Sequence, residues 1–154
     1  VYAQGRGERE WASWRPSAET FHSWRKRVKY LWYQTQLLRD VWPAVMTATA
    51  DELDLLGALL GKDHDLAVLS DTVRGEFPRS GAASTADALE RRIGERRTKL
   101  QEQVQVLGLR AYSEAPGAFE RRVGGYWQAW QEERIQGAIL VPSSGDVRST
   151  GGSG

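Results

Sequence analysis

The chain has 154 residues, a formal net charge of +1, 40% hydrophobic and 27% charged residues, and no cysteine. That is enough for one domain with a real core and an ordinary globular composition, and it excludes a disulfide framework, a thiolate metal site and a cysteine nucleophile. The near-zero charge weighs against a general nucleic-acid binder, in which basic residues dominate the whole domain. No run approaches the roughly 18 apolar residues a membrane span needs and no signal peptide stands ahead of the fold, so a cytoplasmic location is expected.

Residues 1–16 read as a lead-in, with Trp11 and Trp14 three apart and Pro16 breaking any helix that arrives there. The chain opens on Val1 rather than Met, so an upstream segment is expected to be missing. Ser17 is a good N-cap for a first helix over Ser17–Val41, which stops before Pro43 because a residue preceding proline resists the α conformation. Within it Phe21, Trp24, Val28, Leu31, Thr35 and Leu38 recur at helical spacing and mark a buried face. His22, Arg25, Lys26, Lys29, Tyr33 and Gln36 follow the same rhythm one residue later. At about 100° per residue this basic stripe lies beside the buried one, whereas Arg27 falls away from both. No Asp or Glu occurs from Thr20 to Arg39 to neutralise it.

A second helix is expected from Ala50 or Asp51, with Leu53, Leu56, Leu59, Leu60, Leu66, Leu69 and Val73 inward and Gly57 and Gly61 admitting a close neighbour. It carries Asp51, Glu52, Asp54, Asp63, Asp65 and Asp71, so charge is segregated along the chain. Gly75–Ala83 reads as a connection. Ser84 or Thr85 caps a third helix with Ala86, Leu89, Ile93, Leu100, Val104 and Leu107 inward and Gly108 near its stop. Its apolar ladder lacks a member between Ile93 and Leu100, where Arg96 and Arg97 stand at the margin. Cations there are costly unless anions meet them. Pro116 suits the first turn of a fourth helix whose buried stripe is Phe119, Val123, Tyr126, Trp127 and Trp130, with Arg122 alongside. Four amphipathic helices with short connections predict an all-α, antiparallel four-helix bundle over residues 17–138. Residues 139–154 are too poor in apolar side chains to fold and read as a disordered tail.

The plain reading of the basic stripe is a solvated helix face, and that of Arg97 and Arg122 is cations snorkelling from the core edge. Against it stand the adjoining core face, the leading His22 and the absence of alternating acids. Together these predict an anion site built from His22, Arg25, Lys26, Lys29 and Tyr33, with Arg6, Arg97 and Arg122 as secondary members. Asp63 or Asp65 is expected to hold a basic group of the first helix in place. Two histidines, His22 and His64, and no cysteine make a closed zinc site a poor prospect. A phosphohistidine mechanism would need a base or orienting acid near His22, and the sequence offers neither that nor a phosphate-cradling loop. No catalytic residue, cofactor or metal is expected.

His22-x-x-Arg25-Lys26-x-x-Lys29, followed by Tyr33, resembles the signature helix of the CHAD family, the conserved-histidine α-helical domains. Leu59-Leu60-Gly61-Lys62-Asp63-His64-Asp65-Leu66-Ala67-Val68-Leu69 resembles its second hallmark, a Leu-Gly-x-x-x-Asp-Leu-x-x-Leu run. Arg97-x-x-Leu100, Ala115-Pro116-x-Ala118-Phe119-x-x-Arg122 and Tyr126-Trp127-x-x-Trp130 are similar to its closing helices. The family is built as two related four-helix halves, binds inorganic polyphosphate along a basic channel and is not known as a catalyst. The resemblance, over roughly Tyr2–Glu133, is to the second half alone. It implies that residues 1–16, where Tyr2-Ala3-Gln4-Gly5-Arg6 resembles the tail of the first half, end a missing or truncated preceding half. It further implies non-catalytic binding of polyphosphate, location near polyphosphate granules, and either a homodimer or a missing N-terminal half to complete the channel. Trp32 stands where many members carry a further Arg, one phosphate contact fewer. The alternative is an accessory or regulatory domain that contacts a phosphate-processing enzyme, such as a CYTH-type triphosphatase, through protein surface.

Overall fold

Pro16 and Ser17 divide the first two elements of the chain. In the computed structural model, which describes residues 1–76 and 83–140, helix α1 spans Tyr2–Trp14 and α2 spans Ala18–Leu37. Ser17 caps α2 as expected. Its hydroxyl accepts from the Thr20 N–H at 3.1 Å, and the Thr20 hydroxyl accepts from the Ser17 N–H at 3.0 Å. This reciprocal pair satisfies two otherwise orphaned ends of the chain at the helix start. A short 3₁₀ turn, Arg39–Val41, leads to α3 at Pro43–Glu76, then come α4 at Ala83–Ala111 and α5 at Pro116–Leu140.

The chain is therefore all-α, but with five α-helices among the described residues rather than four, because residues 2–14 of the lead-in are helical. The start of α3 also corrects the expected boundary at Ala50 or Asp51. The preceding helix stops at Leu37, short of the expected Val41, and Pro43 instead opens α3, where its missing N–H is not needed. The connection expected at Gly75–Ala83 falls mostly outside the described residues, as does the tail expected over residues 139–154 except Ile139 and Leu140, which are helical and close α5.

α3 is the central element, packed against α2 on one side and α4 on the other, while α1 packs on α2. Its buried residues recur every three or four positions as one seam facing those neighbours. Its inward residues are Met46, Ala50, Leu53, Leu56, Leu60, Asp63, Ala67, Ser70 and Val73. Leu69, expected inward, is instead 43% exposed, and the seam past Leu60 is filled by the smaller and polar Asp63, Ala67 and Ser70. The main core joins Tyr2 and Ala12 of α1, the α2 stripe, Leu53, Leu56 and Leu60 of α3, Val104 of α4 and Tyr112. A smaller cluster of Val73, Ala86 and Ile93 closes the far end of the α3–α4 pair.

Gly108 stands in the last turn of α4, near its stop as expected, and it is buried for a reason of space. A Cβ there would collide with the indole ring of Trp24 and the stem of Arg9. Trp24, the largest fully buried side chain, thus needs a glycine opposite it. Phe21 is buried as well, as its place in the α2 stripe predicts. Trp11, Trp14 and Trp42 do remain exposed. Among the described residues α5 leans on the rest through its first half: Phe119 stacks on Tyr2 at 3.9 Å, and Tyr126 meets Trp42 edge-on at 4.8 Å. Trp127, expected in its buried stripe, is 41% exposed.

Candidate functional site

The buried stripe of α2 fixes what its next face does. With Phe21, Trp24, Val28, Leu31 and Thr35 held inward, His22 and Arg25 fall at the edge of the core, half-buried, and Lys26, Lys29 and Tyr33 reach solvent. Across the helix crossing α3 turns Gly57, Gly61 and His64 toward them, a spacing of four and then three that keeps all three on one face. Arg25 lies over Gly61, where a Cβ would stand 3.3 Å from its Nε. A side chain at position 61 would make the guanidinium give way by a few tenths of an ångström. On the N-terminal side of Arg25, the rings of His22 and His64 stand 4.5 Å apart. Toward Lys29 the crossing widens into a groove of about 320 Å³, walled by Arg25, Lys29, Trp32 and Tyr33 on α2 and by Asp54, Gly57 and Ala58 on α3.

Charge pairing leaves the cations of this face free among the described residues, as it does Arg39, Lys62, Arg110 and others. Among the described residues, ion pairs engage Arg6, Arg9, Arg74, Arg97 and Arg122. None engages Arg25, Lys26, Arg27 or Lys29. Arg25 Nε and His22 Nδ1 are buried without a hydrogen-bond partner, a costly condition for polar atoms that a bound acceptor would relieve. Burial, and then the neighbouring His64, Lys26 and Arg25, push the His22 imidazole below its ordinary value. It is neutral near pH 7 and has one donor nitrogen to offer.

Asp63 and Arg97 have found each other. The carboxylate is fully buried between α3 and α4, accepts from Arg97 Nε at 3.0 Å and Nη2 at 3.3 Å, and accepts from Gln101 Nε2 at 3.0 Å. The anion that meets Arg97 at the core margin is therefore internal. The expectation that Asp63 would hold a basic group of the first helix is corrected, since α3 turns position 63 toward α4 and not toward α2. Asp65 is exposed, and no ion pair joins it to α2 among the described residues.

Arg6 and Arg122 also meet, though not at the α2–α3 crossing. Both converge on Glu114, Arg6 through the backbone carbonyl at 2.9 Å and Arg122 through the carboxylate with a fork that includes Nε at 3.0 and 3.1 Å. Tyr2 donates to the same carbonyl at 3.2 Å. The Arg122 hydrogen bonds hold the Glu114 carboxyl below its usual range and push the guanidinium up. This cluster ties α1 to the start of α5. It lies past the other end of α2, where Phe119 and Arg122 face Leu31 and Thr35.

The fold thus brings together His22, Arg25, Lys26, Lys29 and Tyr33, and adds His64, which the sequence reading had set aside with the unfavoured zinc site. The one available signal was its place three residues after Gly61, on the face those glycines open. No group of three or more His, Cys, Asp or Glu side chains converges as a metal site among the described residues.

The chain is thus an all-helical domain with cations lined along one helix crossing. A family model described as CHAD domain matches residues 3–74, which takes in α1, α2 and nearly all of α3 and so contains the whole of this crossing. The match supports the CHAD resemblance for that segment, just under half of the chain, while the closing motifs from Arg97 to Trp130 lie beyond it. No curated protein and no solved structure matches the chain.

Proposed function

We propose that this chain binds inorganic polyphosphate without catalysis, along the α2–α3 crossing. The observation that carries the proposal is convergence at one crossing: Arg25 Nε and His22 Nδ1 are buried there without a hydrogen-bond partner, and Lys26 and Lys29, beside them on α2, have no carboxylate partner among the described residues. Polyphosphate is a flexible chain of repeated negative charge with no bases to stack or edges to read. Several cations in a row suit it, and release of its counterions supplies much of the driving force. In this reading Arg25 offers a planar fork from inside the crossing, Lys26 and Lys29 are mobile point charges, and His22 and Tyr33 donate hydrogen bonds. The family whose model matches residues 3–74 is known for polyphosphate binding, which sharpens a generic anion site into this ligand. Arg6, Arg97 and Arg122 are left out of the binding set, since each already holds an internal acceptor.

Immobilised long-chain polyphosphate should retain the chain, and excess DNA should displace it far less well than free polyphosphate does. Equal displacement by DNA would reduce the site to charge attraction alone. Incubation with polyphosphate should release no phosphate and leave no acid-labile phosphate on His22. Turnover would overturn the non-catalytic part of the proposal and give His64 the role of partner base.

A further inference from the structure

The outer face of α5 is unaccounted for by the site above. Glu120, Gly124, Trp127, Gln131 and Arg134 alternate at spacings of four and three, which places them on one side of the helix. All five are exposed, whereas Phe119, Arg122, Val123 and Tyr126, on the adjacent side, are at least half-buried toward the body of the fold. The Trp127 ring has one aromatic neighbour, Trp130 of its own helix at 5.0 Å. Arg134 in turn lies over the Trp130 ring at 4.7 Å. Trp127 stands 41% exposed at the middle of this face.

The residues themselves say what would fit against it. Read outward from Trp127 in both directions, the helix is complementary to its own reverse. Seven residues away, Glu120 on one side answers Arg134 on the other, and six away Arg121 answers Glu133. Three residues away, Gly124 answers Trp130. Positions 124 and 125 have nothing within 4 Å of where a Cβ would stand, so they leave a recess of the kind an opposing indole fills. A parallel pairing would set Glu120 against Glu120 and Arg134 against Arg134. An antiparallel one sets each against its opposite.

We infer that α5 is an interface for a second copy of this chain, the two helices running antiparallel about a two-fold axis at Trp127. Such an isologous contact uses the same patch twice and closes on itself. Trp127 meets its own symmetry mate at the centre, the partner's Trp130 covers Gly124 and Gly125, and two Glu120–Arg134 pairs flank them. The inference stands independently of the polyphosphate reading.

The absence of cysteine from the chain allows a clean test. Trp127→Cys introduces a single thiol at the axis, and mild oxidation should convert most of the chain to a disulfide-linked dimer. Gln103→Cys, on an exposed face of α4, should remain unlinked. Glu120→Arg should weaken dimerisation roughly tenfold, as two exposed pairs turn repulsive, and Arg134→Glu should do the same. The double variant, or an equimolar mixture of the two single variants, should restore it. Light scattering on the full chain over a concentration series gives the readout, with circular dichroism confirming that each variant is folded. A chain that stays monomeric at every concentration overturns the inference. So does a dimer that Glu120→Arg leaves unchanged and that does not cross-link at position 127.

Discussion

At Lys29 the proposed ligand and the helical register can be tested together. Each phosphate contact adds close to one unit to the slope of log affinity against log salt, so Lys29→Ala should make that slope shallower by about one. Arg27→Ala, around the helix from the stripe, should leave it unchanged. Asp54 is the acid that the groove wall contributes on the α3 side, and Asp54→Asn should strengthen polyphosphate binding a few-fold by removing a like charge. His22 makes affinity depend on pH. Its folded value is lowered, first by burial, so the unfolded chain takes up this proton first. The stability it contributes is intact above about pH 6.5 and is lost as pH falls through the folded value. A bound polyanion favours the imidazolium and reverses the preference. Polyphosphate affinity should therefore rise below about pH 6.5 with net proton uptake, measurable by calorimetry in buffers of different ionisation enthalpy, and His22→Gln should abolish the uptake. The stripe was legible because it repeats with the helix. The partner of Asp63 and the place of His64 were not, because a periodic pattern does not say which neighbour each side of a two-sided helix meets.

Among the elements, the α3–α4 pair is locked by polar layers rather than by leucines alone. Asp63 with Arg97 and Gln101 forms one, and Ser70 and Arg74 with Glu90 form the next. Removing one partner of a buried pair leaves the other charge uncompensated. Arg97 keeps some access to water, with its side chain 21% exposed, so Asp63→Ala should cost about 3 kcal/mol, the low end for such a loss. For a domain of this size that is a fall in Tm of roughly 6–12 °C. Asp65→Ala, on the exposed side, should stay within about 0.5 kcal/mol of the parent. Thermal unfolding followed by circular dichroism separates the two. The sequence showed the gap between Ile93 and Leu100 that Arg97 fills, and it showed that an anion was needed there. It did not show that the anion was intramolecular, since Asp63 was assigned to the first helix. The start of α3 was hidden because one proline can both end a segment and begin a helix, and the lead-in helix because its core contribution rests on residues as small as Gly5 and Ala12.

For the whole molecule, the all-helical class was legible from amphipathic spacing alone, while its arrangement was not: α3 in the middle, α1 in place of an irregular lead-in, and α5 attached through its first half. Phe21 and Trp24 are buried, and an exposed aromatic surface lies instead at Trp127 and its neighbours on α5. The stripe of α2 has one more consequence, which concerns length. His22 and Tyr33 are eleven residues apart on a single uninterrupted helix, a distance of about 16 Å at 1.5 Å per residue. The protein therefore holds a rigid comb of fixed extent against a ligand that comes in any size. Oligomers too short to reach from one end to the other leave teeth of the comb unused, and each added phosphate should tighten binding steeply. Once the oligomer outreaches the comb, further units add only more ways of sliding along it, and affinity should level off to a slow, statistical rise. A titration series of defined chain lengths would show the break, and its position would measure the comb.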